Sequence, residues 1–389
     1  MRSATFLLFF ALCALAVVPV GCDLVDSDES DDGDDTSPSG PVLVATMGGD
    51  MPGVWTFNPD SLEPAPLVET QDRIPLGVAA SPDNERWYSA WSTGSFQEGT
   101  GRNVLAAIDP VERRIVERRS RPADRAFTAP LLYEPVNDQI VVPDVRDTTQ
   151  FFDAETLELV REQRIVGSNS GVVDAVVAEK REKMYVGAVT EGGDQIVAYD
   201  LAEREITTTI PVAGLPAGLS DIALSPDERY LFATTWKDFS SPGTFYMVDL
   251  ETGETVFEGG PVGKKANLAV HPNGRYVYVD CPAGGGLDAL PTNRLTRFDV
   301  EARELEVFLD SGEDLGLGYE GLVTDQITML PGGEAFVVKD PVPSEHDPSL
   351  FAVDAETGAV RATYTPPHEE DGTVKNYVWR LDVATIPGQ

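Results

Sequence analysis

One set of polar side chains recurs at a fixed distance before a repeated proline turn, and it contains the residues best suited to binding chemistry. Counting five residues back from each proline gives a carboxylate or an amide in most copies. These residues are Asp221, Asn267, Gln326 and Asp382, with Asp174 in a copy that lacks the proline and Asp325 beside Gln326. Oxygen ligands that converge in this way suit Ca²⁺ or Mg²⁺. The alternative is that these side chains cap the starts of strands or contact water.

Other candidate chemistries have little support in the sequence. The segment GLGYEG (316–321) matches G-x-G-x-x-G, but dinucleotide binding requires a strand before the glycines and a helix after them. The three histidines are His271, His346 and His368, and we expect His271 on the opposite face from the other two. That separation disfavours a three-histidine zinc site. No G-x-S-x-G motif is present, so the sequence identifies no catalytic residue.

The chain contains seven copies of one unit, and two phrases mark each copy. SPDERYLF (225–232) and HPNGRYVYV (271–279) are examples of the first phrase, and VDLETGE (248–254) is an example of the second. The second phrase carries an Asp or Asn that can accept a backbone hydrogen bond and close a tight turn. Its members are Asn58, Asp109, Asp153, Asp200, Asp249, Asp299 and Asp354. Copies separated by about 50 residues indicate a repeat architecture.

Four short strands make up each copy, as apolar alternation and the positions of Pro, Gly and Asp indicate. In the fourth full copy, strands a, b, c and d cover residues 221–225, 229–235, 244–249 and 254–258. Four-stranded units of this length are the blades of β-propellers. The sequence therefore predicts an all-β fold, a propeller of seven antiparallel blades.

The ends of the repeat region predict how the ring closes. LDVATIPGQ (381–389) matches strand a and its turn, while PVLVATMGG (41–49) matches strand b and VWTFNP (54–59) matches strand c. One blade would then combine strand a from the C-terminal part with strands b, c and d from the N-terminal part. We expect the propeller to occupy residues 41–389, closed by this pairing and without an open edge.

Residues 1–21 have the pattern of an export signal, since Arg2 precedes an apolar stretch that ends in small residues. PVGC (19–22) resembles the lipobox of bacterial lipoproteins, which implies that Cys22 is lipidated. Simple cleavage and a retained anchor are the alternatives. Residues 22–40 are acidic and poor in apolar side chains, so we expect a disordered tether after the lipid-anchored cysteine. The expected location is the cell envelope, either periplasmic or surface-exposed.

The charge balance limits the partners of this protein. There are 65 acidic and 29 basic residues, which gives a net charge of −36. Such a surface repels DNA, RNA and anionic lipid headgroups, so we expect no nucleic-acid partner and membrane contact through the lipid anchor alone. The acidic balance resembles that of proteins from salt-loving organisms. After Cys22 the chain has only Cys281, which allows no internal disulfide, and we expect a monomer.

The repeated phrases resemble the YVTN-type repeats of seven-bladed propellers. The resemblance is carried by SPDERYLF and HPNGRYVYV paired with VDLETGE, and it extends over residues 41–389. That superfamily includes lactonase-like propellers and the large subunit of quinohaemoprotein amine dehydrogenases. The resemblance implies the fold, and its lactonase-like members imply a divalent cation near the channel mouth. It does not select a function, because the shared residues belong to turns and strands.

Long connections on one face of the propeller predict where the site lies. They include STGSFQEGTGRN (92–103), DSGEDLGLGYEG (310–321) and PPHEEDGTVKN (366–376), whereas the connections on the other face are short. Rigid scaffolds usually carry function on such loops. We expect a non-catalytic module that binds a small molecule or an envelope protein. The alternatives are a divalent-cation-dependent, lactonase-like hydrolase and an accessory propeller subunit of a redox complex.

Overall fold

The structure is a computed structural model of the 389-residue chain. It describes residues 40–49, 52–70, 75–93, 100–123, 127, 131–143, 148–166, 171–190, 193–212, 218–236, 243–262, 266–280, 294–310, 326–339, 349–367 and 376–387. The expected signal peptide, Cys22, the tether up to residue 39, Asp325, Cys281, His346 and His368 lie outside the described residues. Most of the long connections lie outside them as well.

Seven antiparallel sheets of four strands each form the fold, and we number them as blades 1 to 7. Blade 1 contains β28 (Asn376–Ile386), β1 (Gly40–Gly49), β2 (Gly53–Phe57) and β3 (Pro64–Glu69). Blade 2 contains β4 (Val78–Ala80), β5 (Trp87–Thr93), β6 (Arg102–Asp109) and β7 (Arg114–Pro122). Blade 3 contains β8 (Leu132–Glu134), β9 (Gln139–Pro143), β10 (Thr148–Asp153) and β11 (Leu159–Arg164).

The other four blades follow the same order along the chain. Blade 4 contains β12 (Gly171–Ala178), β13 (Lys183–Thr190), β14 (Gly193–Asp200) and β15 (Glu205–Pro211). Blade 5 contains β16 (Gly218–Leu224), β17 (Tyr230–Trp236), β18 (Gly243–Asp249) and β19 (Glu254–Val262). Blade 6 contains β20 (Leu268–Val270), β21 (Tyr276–Val279), β22 (Arg294–Asp299) and β23 (Glu304–Asp310). Blade 7 contains β24 (Gln326–Met329), β25 (Ala335–Lys339), β26 (Leu350–Asp354) and β27 (Val360–Tyr364).

The first strand of each blade, strand a, lines the centre of the ring. Each strand a contacts the strands a of both neighbouring blades, and this series of contacts runs from β4 through β8, β12, β16, β20 and β24 to β28 and back to β4. The ring is therefore closed. The prediction of a seven-bladed, all-β propeller is confirmed.

The two ends of the propeller meet in blade 1. Strand β28 pairs with β1 along its length, from Ile386 opposite Gly40 to Asn376 opposite Gly49. Strands β2 and β3 continue the sheet outward from β1. The prediction that strand a comes from the C-terminal part and strands b, c and d from the N-terminal part is therefore confirmed.

Seven equivalent turns join strands c and d. In every one, the side-chain oxygen of the Asx residue accepts the backbone N–H of the residue three positions later. The residues are Asn58, Asp109, Asp153, Asp200, Asp249, Asp299 and Asp354. The residue four positions later has a positive φ in each turn, for example 58° at Arg303 and 72° at Gly253. This bond fixes the turn and allows the left-handed backbone that follows it.

Hydrophobic side chains pack between adjacent blades. Trp87 of blade 2, which is fully buried, packs against Val42, Val44 and Ile386 of blade 1. Arginines in the c–d turns add contacts between blades: Arg113 donates to the Pro66 carbonyl, and Arg303 donates to the Val256 carbonyl at 3.3 Å. The core is thus divided into layers between blades, and these layers hold the ring together.

Helical structure in the described part of the chain is limited to one turn of 3-10 helix, Glu179–Arg181. It replaces the proline turn in the copy that lacks the proline. Lys180 and Arg181 donate there to the backbone carbonyls of Pro226 and Glu228 in blade 5, at 2.7 and 2.6 Å. No helix among the residues described is long and apolar enough to cross a membrane.

Candidate functional site

The recurring polar residues lie on the innermost strands of five blades. Asp174 is in β12, Asp221 in β16, Gln326 begins β24, Asp382 is in β28, and Asn267 directly precedes β20. These positions surround the central channel because strand a is the innermost strand of every blade. The fixed spacing from the a–b turn therefore translates into a shared depth in the channel.

A β-bulge comes directly before three of the charged residues in the channel. The pairing register shifts between Val172 and Asp174 in β12 and between Leu219 and Asp221 in β16. A third shift in β28 leaves Trp379 unpaired before Arg380. Bulges turn the strand locally and re-aim the side chain that follows them. These three bulges therefore help to direct the side chains of Asp174, Asp221 and Arg380 into the channel.

Four of the predicted side chains bond to strand a of the next blade around the ring. Asp174 Oδ2 accepts the N–H of Ile222 at 3.4 Å, and Asp221 Oδ2 accepts the N–H of Leu268 at 2.6 Å. The same relationship places Asp382 Oδ2 at 3.2 Å from the N–H of Val78. These three carboxylates therefore connect blade 4 to 5, blade 5 to 6 and blade 1 to 2.

Gln326 makes the corresponding connection from blade 7 to blade 1 with both ends of its amide. Its Oε1 accepts the N–H of Leu381 at 2.8 Å, and its Nε2 donates to the Leu381 carbonyl at 2.7 Å. The side chain thus takes the place of a backbone pairing partner between two strands a. These bonds give the recurring polar position a structural role that is independent of any ligand.

Asn267 differs from the other four because it bonds within its own blade. Asp280, at the end of β21, accepts the Asn267 N–H at Oδ1 (2.5 Å) and the Asn267 side-chain amide at Oδ2 (2.9 Å). The Asp280 N–H donates in turn to the Asn267 carbonyl at 3.1 Å. Asp280 is 0% exposed. Sequence analysis did not single out Asp280, although a carboxylate at the end of the apolar run YVYV was a usable signal.

The predicted residues come together on one cavity. Its volume is about 570 Å³, and its polar lining includes Asp174, Asp221, Asn267, Gln326, Asp382 and Arg380. A second cavity of about 330 Å³ shares Asp174, Arg380 and Asp382 with the first, and its lining also includes Glu179, Val78 and Leu132. The three shared charged residues therefore lie between two cavities.

Arg380 brings the positive charge to this cavity, and sequence analysis missed it. Its Nε lies 3.7 Å from Asp382 Oδ2, and its side chain is 32% exposed. Gly77 of blade 2 packs against it, since a Cβ at Gly77 would lie 3.2 Å from the Arg380 Cδ. Gly77 occupies the recurring position in blade 2, so the absence of a side chain there leaves room for the guanidinium.

Burial and neighbouring charges perturb the carboxylates. Burial raises the pKa of Asp221 well above its ordinary value, and the Asp174 carboxylate raises it further through its charge and a hydrogen bond. The Leu268 N–H opposes this rise, and the charge of Asp280 adds to it. Two adjacent carboxylates cannot both ionise at low cost, so Asp221 retains its proton at pH values where an isolated aspartate has lost it.

Asp382 is perturbed in the same direction. Burial raises the pKa of Asp382, and the charge of Asp174 adds to the rise, while Arg380 and the Val78 N–H oppose it. Its side chain keeps 29% of its surface accessible, because it faces the cavity although protein surrounds it on the other sides. The cavity therefore combines two adjacent carboxylates, Asp174 and Asp221, with a separate Arg380–Asp382 pair.

The expected Ca²⁺ or Mg²⁺ site stays a prediction. Among the residues that the structure describes, no group of three or more His, Cys, Asp or Glu side chains is arranged to hold a metal ion. Both oxygens of Asp221 already accept backbone N–H groups, from Ile222 at 2.9 Å and from Leu268 at 2.6 Å. Each of these oxygens has a further lone pair, so a cation at Asp221 would be bound in addition to these donors. Asp325, which belongs to the same predicted set, lies outside the described residues.

A buried carboxylate outside the channel also escaped sequence analysis. Asp194, in β14, is 4% exposed, and neither of its carboxylate oxygens has a hydrogen-bond partner within the described ranges. Burial raises the pKa of Asp194 to about 6, and the nearby Leu219 N–H opposes the rise without reaching hydrogen-bond geometry. No motif marked this residue, because its burial depends on the neighbouring blade 5, where the Leu219 N–H lies close to it.

Comparison with known proteins identifies the fold and leaves the function open. No protein-family model matches the chain, and no curated protein matches it. The similarity to YVTN-type propellers therefore stays a prediction. Among solved structures, hydrazine synthase from Kuenenia stuttgartiensis is similar with a TM-score of 0.55 and 12% sequence identity. The match covers 78% of this chain and 90% of that chain. The likeness shows the fold alone.

Proposed function

We propose that this protein is an exported, lipid-anchored binding module of the cell envelope, without catalytic activity, that holds a small polar ligand in the channel of its propeller. The observation that carries the proposal is the cavity of about 570 Å³ with Asp174, Asp221, Asn267, Gln326 and Arg380 in its lining. Pockets for small ligands have volumes of roughly 300 to 1,000 Å³ and a few convergent polar groups. The channel matches both requirements.

The hydrogen bonds around the cavity favour binding over catalysis. Asp221, Gln326 and Asn267 are held by backbone or side-chain partners of adjacent strands. Side chains fixed in this way form a rigid polar wall, and a rigid wall reduces the entropy cost of binding. Arg380 is the group least constrained by its neighbours, because its one ion pair among the described residues is the Nε contact with Asp382 at 3.7 Å.

Export and anchoring rest on the sequence of the N-terminal part. The apolar stretch after Arg2 and the PVGC segment that ends at Cys22 support cleavage and lipidation at that cysteine. The acidic residues 22–40 would then separate the propeller from the membrane. A propeller anchored in this way would bind its ligand close to the surface of the membrane.

The proposal can be tested by recovering the ligand. The full-length protein is purified in mild detergent from its native membranes and analysed by native mass spectrometry, beside an Arg380→Gln variant. We expect a small molecule on the wild-type protein and loss of that mass from Arg380→Gln. Arg275→Gln is the matched control, because Arg275 pairs with Asp299 in an exposed turn away from the channel. Loss of the small molecule from the control as well would contradict a channel site.

The alternatives from sequence analysis give different results in the same experiment. A lactonase-like hydrolase would retain stoichiometric Ca²⁺ or Mg²⁺ and lose it in an Asp221→Ala, Asp382→Ala double variant. A protein-binding module or a redox accessory subunit would retain a partner chain and an empty channel. Either outcome would overturn the small-ligand proposal.

A further inference from the structure

Building on the proposed function, we infer that the channel ligand is a small zwitterion, with its carboxylate bound by Arg380 and its ammonium group bound by Asp174 and Asp221. All three residues line the same cavity of about 570 Å³. They belong to different blades, since Arg380 is in β28 of blade 1, Asp174 in β12 of blade 4 and Asp221 in β16 of blade 5. The positive and negative groups are therefore presented from different walls of one cavity.

The anionic end of the ligand is assigned to Arg380. A guanidinium has five N–H donors in a planar fork that matches a carboxylate. Among the described residues, the one ion pair of Arg380 is the Nε contact with Asp382 at the long distance of 3.7 Å, and 32% of its side chain is exposed. The stem of Arg380 packs on Gly77 through Cδ and Nε, which leaves the terminal nitrogens out of that contact. The terminal nitrogens can therefore donate two parallel hydrogen bonds to a ligand carboxylate.

The cationic end is assigned to the Asp174–Asp221 pair. Asp221 faces Asp174 from blade 4 and Asp280 from blade 6, and Arg380 and Asp382 complete the charged groups around the cavity. Without a ligand, Asp221 keeps a proton because burial and the adjacent Asp174 carboxylate raise its pKa. An ammonium group supplies positive charge and three N–H donors at this place. It can therefore replace the proton on Asp221.

The balance of charge in the cavity favours a zwitterion over a purely anionic or a purely cationic ligand. Three carboxylates, those of Asp174, Asp221 and Asp382, face one guanidinium, that of Arg380. A purely anionic ligand is repelled by the excess of carboxylates. A purely cationic ligand satisfies the acid pair but leaves the donors of Arg380 without a new partner. A zwitterion satisfies both ends at once.

The test is isothermal titration of the full-length protein in detergent with probes that differ only in charge. The probes are 4-aminobutyrate, butylammonium and butyrate, with glycine and 6-aminohexanoate added to vary the distance between the charges. At least one of the zwitterions should bind about 10-fold or more tightly than butylammonium, because hydrogen bonds to charged groups are worth about 1.5 to 3 kcal/mol. Butyrate should show no binding.

Two variants test which residues bind the carboxylate and the ammonium group of the ligand. Arg380→Gln should reduce the affinity for the best zwitterion to that for butylammonium and leave butylammonium binding unchanged. Asp221→Asn, which keeps the shape of the side chain, should weaken both. Binding of the zwitterion to the wild-type protein should release protons, which is detected as a dependence of the measured heat on the ionisation enthalpy of the buffer.

The outcomes separate this inference from the proposed function. Equal affinity for butylammonium and every zwitterion would overturn the zwitterion inference and leave a site for organic cations. Failure of every probe, together with recovery of a native ligand of other chemistry, would also overturn the inference and leave the proposed function standing. Failure of every probe together with an empty native channel would overturn both. A zwitterion that binds equally well to Arg380→Gln would contradict the assignment of the carboxylate.

Discussion

The carboxylate of Asp221 accepts the backbone N–H of Leu268 at 2.6 Å across the junction of blades 5 and 6. The two residues are 47 positions apart in the chain, which is close to one repeat. The bond joins the innermost strands of adjacent blades at the depth of the cavity. The cohesion of adjacent blades and the lining of the cavity therefore depend on the same side chains.

Removing this bond should destabilise the propeller. Asp221→Ala leaves the Leu268 N–H without its acceptor, and we expect the free energy of unfolding to fall by about 1 to 3 kcal/mol. Urea unfolding followed by tryptophan fluorescence measures the change. Glu304→Ala, at an exposed position of β23, is the control and should change stability by less than about 0.5 kcal/mol. Equal effects of the two substitutions would show that the bond is energetically neutral.

Asp194 should make the stability of the protein depend on pH. The pKa of Asp194 is raised by burial to about 6 from an ordinary value of 3.8. The folded state therefore binds a proton that the unfolded state has released, and stability falls as the pH rises from about 4 to about 6. Above that range the cost of the buried charge is constant, at about 3 kcal/mol from the conversion of pKa differences into free energy.

Asp194→Asn removes the ionisation and should flatten this part of the pH profile. The difference in unfolding free energy between variant and wild type should increase from pH 4 to pH 6 and then stay level. Chemical unfolding at several pH values measures it. Asp60→Asn, at an exposed position in a c–d turn, serves as the control and should leave the profile unchanged. Parallel profiles for Asp194→Asn and the wild type would contradict the raised pKa.

The propeller should not form a stable, cooperative fold without β28, which closes the ring. A chain that stops at residue 375 lacks the inner strand of blade 1 together with Arg380 and Asp382, and it leaves the edge of β1 unpaired. We expect loss of the cooperative thermal transition and aggregation on size-exclusion chromatography, because unpaired strand edges associate. A chain that lacks only residues 387–389 keeps the whole of β28 and is the control. A cooperative transition in the shorter chain would mean that six blades and a partial seventh are stable alone.

Membrane attachment should depend on Cys22. Cys22→Ser removes the proposed lipid acceptor, and each acyl CH₂ group buried in the bilayer contributes about 0.8 kcal/mol to attachment. We expect the variant in the soluble fraction after cell lysis and the wild-type protein in the membrane pellet. Cys13→Ser, within the proposed signal, is the control and should pellet like the wild type. A Cys22→Ser protein that still pellets would contradict lipid anchoring at this residue.

Chelation should leave the stability of the propeller unchanged. Each of three channel carboxylates accepts a backbone N–H of the next blade and so has a hydrogen-bond donor from the protein itself. They are those of Asp174, Asp221 and Asp382. We expect the same melting temperature with EDTA, with added Ca²⁺ and with added Mg²⁺. A Ca²⁺-dependent rise in the melting temperature that is lost in the Asp221→Ala, Asp382→Ala double variant would support the divalent-cation site and the hydrolase hypothesis.

The sequence predicted the fold in detail because its signals are local and repeated. The Asx residue of each c–d turn marks every blade, and a proline marks six of the seven a–b turns. The unmatched ends imply the pairing of β28 with β1. Five of the six recurring polar residues lie on one cavity, since a constant distance from a turn becomes a constant depth in the channel. Asp325 lies outside the described residues.

The residues that surround these side chains were not predicted from the sequence. Arg380 was missed because only the position five residues before each turn proline was examined, although Arg380 precedes Asp382 by two residues in a regular part of β28 and so lies on the same face. Asp280 bonds to Asn267 of its own blade, and its place after the apolar run YVYV was a local signal that was not used. Asp194 is buried against blade 5, and such a contact between distant positions has no local signature. The raised pKa of Asp221 likewise arises only when neighbouring blades bring the carboxylates of Asp174 and Asp221 together.

The bonds from one inner strand to the next have a mechanical consequence. Because Asp174, Asp221, Gln326 and Asp382 both line the channel and join its walls, a molecule in the channel acts on the same bonds that resist separation of the blades. By reciprocity, whatever a ligand adds to the cohesion of the ring, tension on the ring subtracts from the affinity for the ligand. Force transmitted through an anchored propeller would then lower its affinity for the ligand.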